Sequence, residues 1–150
     1  IVLGGAVGAM PALIGWAAID GAIGYPAIAL GLVVFLWTPA HFYNLALVHQ
    51  ADYRRGGFPM LPVVRGERVT LRHIAYYLGA TLLAVGGLAA VGTLGWPYVF
   101  TGIVFAGLFL TAVVHLYRHQ TPRAALVTFH TSNLFLGVVM VVIVLETMLL

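Results

Sequence analysis

Five apolar runs, each long enough to cross a lipid bilayer, dominate this sequence. They cover roughly residues 1–19, 27–48, 71–93, 98–117 and 129–150. A helix needs about 20 mostly apolar residues to span the hydrocarbon core. Only 7% of the residues are charged, whereas soluble domains carry about 25%. The sequence therefore predicts an all-α membrane protein, a bundle of about five transmembrane helices that forms one domain over residues 1–150.

The links between these runs differ in length and polarity. Residues 20–26 and 94–97 form short turns, and residues 118–128 form a modest polar link. The link over residues 49–70 is longer, and we expect it to be irregular because Gly56, Gly57, Pro59 and Pro62 interrupt a continuous helix. This long link is the one segment with room for a site outside the membrane.

The arginines are distributed unevenly over the links. The net charge of +3 comes from seven arginines and no lysine, set against four acidic residues. All seven arginines fall in or beside the long link and the fourth link: Arg54, Arg55, Arg65, Arg68, Arg72, Arg118 and Arg123. Cytoplasmic loops carry such an excess of positive charge. The pattern predicts a multi-pass protein of the cell membrane with loop 49–70 in the cytoplasm and the C-terminus outside, and it favours membrane orientation over nucleic-acid binding.

Two further features concern the chain as a whole. It begins with Ile1 and enters an apolar run without the charged region or cleavage site of a signal peptide. We therefore expect it to be the later part of a longer protein. Small residues four apart, in the pairs Gly4/Gly8, Gly5/Ala9 and Gly102/Ala106, predict close helix contacts.

Polar residues collect where the second run meets the long link. His41, Asn44 and His49 lie on the last turns of that run, and Asp52 follows. A carboxylate among arginines suits a phosphorylated ligand, because Mg²⁺ is held by one or two carboxylates and by phosphate oxygens, while arginines bind the remaining phosphate charge. The alternative is a topology signal that contacts anionic lipid.

The other polar residues near helix ends have simpler interpretations. The row of His41, Asn44 and His49 could bind a metal or a porphyrin carboxylate, or relay protons, but interfacial hydrogen bonding explains its histidines as well. His115 and His119 have ligand-like spacing, and a solvated pair at the membrane surface is the preferred interpretation. Ser132 opens the last run and could line the same cavity, but N-capping or interhelical bonding explains it equally well. We place Glu146 near the outer interface.

Three sequence blocks resemble one family of membrane enzymes. GGAVGAMPALIGWAA begins at Gly4, FLWTPAHFYNLAL begins at Phe35, and ADYRRGGFPMLPVVRGE begins at Ala51. In order and spacing they resemble the haem O synthases (protohaem IX farnesyltransferases) of the UbiA superfamily. The resemblance implies the C-terminal half of a nine-helix UbiA-type bundle, with the N-terminal helices missing, and it implies that this segment alone is inactive.

The resemblance also implies a reaction and a set of site residues. Farnesyl diphosphate would be joined to a vinyl group of haem b, with addition of water, to give haem O for terminal oxidases. Asp52 would bind Mg²⁺ and diphosphate in the family's second acidic motif; many members have a second aspartate four residues later, where this chain has Gly56. The remaining implied contacts are Tyr53, Arg54, Arg55 and Arg65 to the diphosphate, and His41 and Asn44 to haem.

Other functions remain open at this point. A related prenyltransferase acting on a quinone precursor or a lipid would share the chemistry of the long link. A transporter would place its polar residues along a path at mid-membrane depth, whereas here they cluster at one face. An oxidase assembly subunit would not need this loop. Haem A synthase and terminal-oxidase assembly factors are the candidate protein partners.

Overall fold

The computed structural model describes residues 1–92 and 94–149, and these residues form helices and links without a strand. The helices are α1 (Val2–Asp20), α2 (Tyr25–Val48), α3 (Gln50–Arg55), α4 (Leu61–Val64), α5 (Glu67–Val91), α6 (Trp96–His119) and α7 (Pro122–Leu149). Five of them are long and apolar enough to cross a membrane. The predicted all-α bundle with five spans is confirmed, and the protein is a multi-pass membrane protein.

The predicted polar link over residues 118–128 is wrong, because helices occupy most of it. Helix α6 ends at His119, Gln120 takes a left-handed conformation with φ 49°, and α7 begins at Pro122. The Thr121 hydroxyl accepts a hydrogen bond from the Ala124 amide (3.2 Å) and so helps to cap α7. Polarity marked the membrane boundary here, while the backbone continued as a helix beyond it. The predicted run ends Thr93 and Leu150 lie outside the described residues.

Helix α2 is the centre of the bundle. It packs against α1, α5 and α7, while α6 packs against α5 and α7. Four helices therefore form a ring, and α1 lies outside it against α2. The ring is filled by large side chains, among them Ile74, Phe109, Leu116 and Phe135, which are almost completely buried.

Close contact between α1 and α2 depends on glycine. A Cβ at Gly5 would lie 3.1 Å from the Phe35 carbonyl oxygen, and Gly5 and Ala9 are both buried. Of the predicted small-residue pairs, Gly5/Ala9 therefore lies at a helix contact. Gly4, in contrast, is exposed, and a Cβ there would meet no described atom within 4 Å.

The two ends of the bundle are closed differently. At one end, Glu67 lines a small cavity together with Gln120 and Thr121, so the long link and the 120–121 link share this end. At the opposite end, the Glu146 carboxylate accepts hydrogen bonds from the Gly95 and Tyr98 amides, both at 2.7 Å. Glu146 is thus a cap on the N-terminus of α6, a role that its position in the sequence did not predict.

A candidate polar site at the end of α2

The long link folds into two short helices rather than an irregular loop. Helix α2 ends at Val48, His49 follows it with a φ of −102°, and α3 begins at Gln50. After α3, Gly57 takes a φ of 70°, and the Phe58 amide donates to the Tyr53 carbonyl (2.9 Å) to close the turn. Gln50 Nε2 donates to the Pro62 carbonyl (2.9 Å) and so ties α3 to α4. These bonds hold Asp52 at the end of the bundle.

Asp52 is an exposed carboxylate with two partners on its own segment. Its Oδ1 accepts a hydrogen bond from Arg55, and its Oδ2 lies 3.4 Å from His49 Nδ1. The hydrogen bond from Arg55, supported by the contact with His49, lowers the pKa of Asp52 below its usual value. The group is therefore ionised at neutral pH. A single accessible carboxylate of this kind fits one ligand position of a Mg²⁺ ion that takes its other ligands from phosphate and water.

Besides Arg55, the predicted diphosphate contacts are Tyr53, Arg54 and Arg65, and within the described part of the chain none of these three forms an ion pair or hydrogen bond with Asp52. Tyr53 is half-buried, and its ring packs edge-on against Phe58 with centroids 6.3 Å apart. Arg54 and Arg65 are exposed. The ion pairs found in the described residues all involve Asp52, with His49 and Arg55 as its partners. Arg54 and Arg65 thus stay available to an anionic ligand.

His41 lies in the contact between α2 and α7. Its ring stacks between Trp37 and Phe129, with centroids at 4.3 and 4.2 Å. Its Nδ1 lies 2.6 Å from the Ser132 hydroxyl, which donates its single proton to the Phe129 carbonyl (2.7 Å). In this arrangement His41 Nδ1 donates to the Ser132 hydroxyl, and a neutral ring would keep the lone pair of Nε2. Interhelical bonding by Ser132 is confirmed.

Asn44 is completely buried one turn further along α2. Its amide group donates to the Ala40 carbonyl (2.6 Å), while Oδ1 has no hydrogen-bond partner within the described part of the chain. His49, by contrast, is exposed and contacts Asp52. The predicted row of His41, Asn44 and His49 is therefore divided between the interior of the bundle and its surface.

A cluster that the sequence analysis missed joins α2 to α5. The Tyr43 ring lies 6.1 Å from the ring of His73 and 6.3 Å from that of Tyr77. His73 Nδ1 donates to the Val69 carbonyl (2.8 Å), which fixes the orientation of the ring. The spacing of His73 and Tyr77 by four residues on an apolar helix was the available signal.

Metal-ligating side chains are sparse. His115 and His119 are exposed, with ring centroids 4.3 Å apart. No group of three His, Cys, Asp or Glu side chains suited to a metal ion occurs among residues 1–92 and 94–149. Any bound cation would therefore need ligands from a substrate or from another part of the protein.

Comparison with known proteins places this arrangement in a family. The model of the UbiA prenyltransferase family matches residues 1–139. The chain is 59% identical over 147 residues to protoheme IX farnesyltransferase 1 of Natronomonas pharaonis, covering 98% of this chain and 32% of that relative. It is 56% identical over 149 residues to protoheme IX farnesyltransferase of Haloarcula marismortui, covering 99% of this chain and 32% of the relative.

More distant relatives match in the same way. Protoheme IX farnesyltransferase of a Roseiflexus species is 44% identical over 147 residues, which are 97% of this chain and 27% of that relative. The chain spans about a third of the length of its most similar curated relatives. No solved structure matches it significantly. The match to the family model extends over most of the chain, and the chain therefore belongs to the UbiA prenyltransferase family.

Proposed function

We propose that this chain supplies the C-terminal part of an enzyme that transfers the farnesyl group of farnesyl diphosphate to a vinyl group of haem b, forming haem O. The observation that carries the proposal is the ionised Asp52 with Arg55 on an exposed helix at the end of α2. This site lies within a chain 59% identical to a protein named protoheme IX farnesyltransferase 1. The product would serve terminal oxidases, with haem A synthase and oxidase assembly factors as partners.

The leaving diphosphate accounts for the charged residues of the long link. Bound Mg²⁺ would neutralise charge on the diphosphate and so favour breaking of the allylic C–O bond. Asp52 would give up its contact with His49 to serve as a metal ligand, with Tyr53 as a hydrogen-bond donor to the diphosphate. The three arginines Arg54, Arg55 and Arg65 would bind the remaining phosphate charge.

The acceptor side of the reaction is assigned to α2. His41 offers the lone pair of Nε2, and Asn44 offers its unpaired Oδ1. Both lie within two turns of the end of α2, the end that leads into α3. We assign them to haem and to the water that adds after carbon–carbon bond formation. Loop 49–70 would face the cytoplasm, the C-terminus would lie outside, and the protein would reside in the cell membrane.

The test uses the natural gene product that carries this chain, in membranes supplied with haem b, farnesyl diphosphate and Mg²⁺. Mass spectrometry of the extracted haem should show a hydroxyethylfarnesyl adduct. Asp52→Asn removes the proposed metal ligand, and we expect adduct formation to fall at least about 100-fold. Asp20→Asn, an exposed carboxylate at the opposite end of the bundle, is the matched control and should leave the rate unchanged.

The possible outcomes separate the function from the site. An adduct that the Asp52→Asn change leaves undiminished would retain the reaction and reject Asp52. Prenylation of a quinone precursor, with no haem adduct, would assign the chain to another branch of the UbiA family.

A further inference from the structure

Helices α5 and α6 are consecutive in the chain, yet an apolar groove runs between them. Its half nearer the 120–121 link has a volume of about 210 Å³. A second half of about 230 Å³ continues towards the other end and shares Leu82 with the first. The walls of the first half include Ala75, Gly79 and Leu82 from α5, and Leu110, Val114 and Tyr117 from α6. The groove is long and lined mostly by apolar side chains, as a site for a linear hydrocarbon chain would require.

A cationic cluster adjoins the groove at its 120–121 end. On the neighbouring face of α6, His115, Arg118 and His119 line a depression of about 370 Å³. This depression shares Leu110 and Val114 with the groove, so the two surfaces are continuous. Arg118 is exposed and takes no part in the ion pairs found among the described residues.

The cluster lies at the end of the membrane-spanning helices, where lipid headgroups are expected. Arg118 and His119 are in the last turn of α6, at the end of the bundle that also carries the long link. Arg72 is exposed and lies three residues before Ala75 on α5, a spacing that puts the two residues on the same helix face. Clusters of arginine between membrane helices at this depth bind anionic lipid headgroups. We propose that α5 and α6 form a site for an anionic phospholipid, with its phosphate at His115, Arg118 and His119 and an acyl chain in the groove.

Charge and length distinguish a phospholipid from an isoprenoid diphosphate. Among the described residues that line the groove and the cationic depression there is no Asp or Glu, so these residues offer no carboxylate to a metal-bound diphosphate. The groove follows α5 from Ala75 to Ala89, a distance of about 21 Å along the helix axis. Half of a bilayer core is about 15 Å thick, so a whole acyl chain fits. The proposal does not depend on the farnesyl-transfer reaction.

The first experiment tests the headgroup. The natural gene product, purified in neutral detergent, is titrated with phosphatidylglycerol or phosphatidylcholine of identical acyl chains, and native mass spectrometry measures the bound lipid. We expect phosphatidylglycerol to bind more tightly, and Arg118→Gln to weaken its binding about fivefold without affecting phosphatidylcholine. Arg123→Gln, an exposed arginine in the first turn of α7, is the control and should change neither affinity.

The second experiment tests the groove. A Cβ at Gly79 would meet no described atom within 4 Å, so Gly79→Leu fills the groove without a clash at the backbone. It should weaken the binding of both lipids, whereas Gly137→Leu on α7, which has equal space, should not. Equal affinities for the two lipids, or an Arg118→Gln protein that binds phosphatidylglycerol normally, would overturn the proposal. Displacement of the bound lipid by farnesyl diphosphate would instead assign the groove to an isoprenoid chain.

Discussion

At the scale of single residues, the charge of Asp52 is set by neighbours within one turn. Arg55 and His49 are each three positions away, so α3 brings all three side chains to one face. Both neighbours favour the ionised carboxylate and lower its pKa. The carboxylate is exposed, so its charge does not depend on the rest of the bundle.

Arg55→Gln should raise the pKa of Asp52 towards its usual value, because it removes the largest contribution to the lowered pKa. A carboxylate with a lowered pKa in the folded protein stabilises it above the pKa of the unfolded state, and this stabilisation is lost as the pH falls through the folded-state pKa. In the variant this stabilisation should be smaller, and its loss should be complete at a higher pH. Thermal unfolding midpoints followed from about pH 7 to pH 3 measure this shift. Arg68→Gln, an exposed arginine in the first turn of α5, should give the wild-type profile.

At the scale of helices, glycine decides how closely α1 approaches α2. A Cβ at Gly5 would press on the Phe35 carbonyl oxygen, and backbone cannot move aside as a side chain can. The neighbouring Gly4 points away from α2 into open space. The α1–α2 contact therefore requires glycine at position 5, whereas position 4 has space for a side chain.

Gly5→Ala should destabilise the α1–α2 contact by about 1–3 kcal/mol, the usual effect of overpacking. Gly4→Ala should be neutral or stabilise the protein by up to about 1 kcal/mol, because alanine is the better helix former. Unfolding by sodium dodecyl sulfate in mixed micelles gives both free energies. Equal effects of the two substitutions would contradict the packing described for Gly5.

The cap on α6 links two helices at the opposite end of the bundle. Glu146→Ala would leave the Gly95 and Tyr98 amides without their acceptor, and we expect the free energy of unfolding to fall by about 1–2 kcal/mol. Glu146→Gln retains one acceptor oxygen and should cause a smaller loss. The same unfolding measurement compares them. An alanine variant as stable as the wild type would show that water replaces the carboxylate.

At the scale of the whole molecule, the arginine distribution predicts how the bundle is inserted. Residues 1–150 contain no cysteine, so a cysteine introduced among them is the only thiol of this segment. Ala51 in α3 and Ile23 in the link between α1 and α2 are exposed at opposite ends of the bundle. A membrane-impermeant maleimide should label Ile23→Cys in intact cells and Ala51→Cys only after permeabilisation. The reverse pattern would invert the predicted topology.

The five membrane spans could be predicted from the sequence because each span is identified by its own residues. Each span must satisfy its own backbone in hydrocarbon, so a run of apolar residues suffices to identify a helix. The position of Asp52 with its arginines was also local, since the residues around it belong to one short segment. The starts of α5 and α7 were not predicted, because both helices begin in polar sequence before their apolar runs.

The contacts between helices were decided by the tertiary structure alone. His41 and Ser132 are 91 residues apart, and Glu146 lies 48 residues from Tyr98. Such contacts depend on how each helix is rotated about its axis and which neighbour it meets, and apolar composition specifies neither. By itself the sequence determined the spans, the polar end of the bundle and the charged segment around Asp52. Only the packed bundle placed His41 between two aromatic rings, turned Glu146 into a helix cap and opened a groove between α5 and α6.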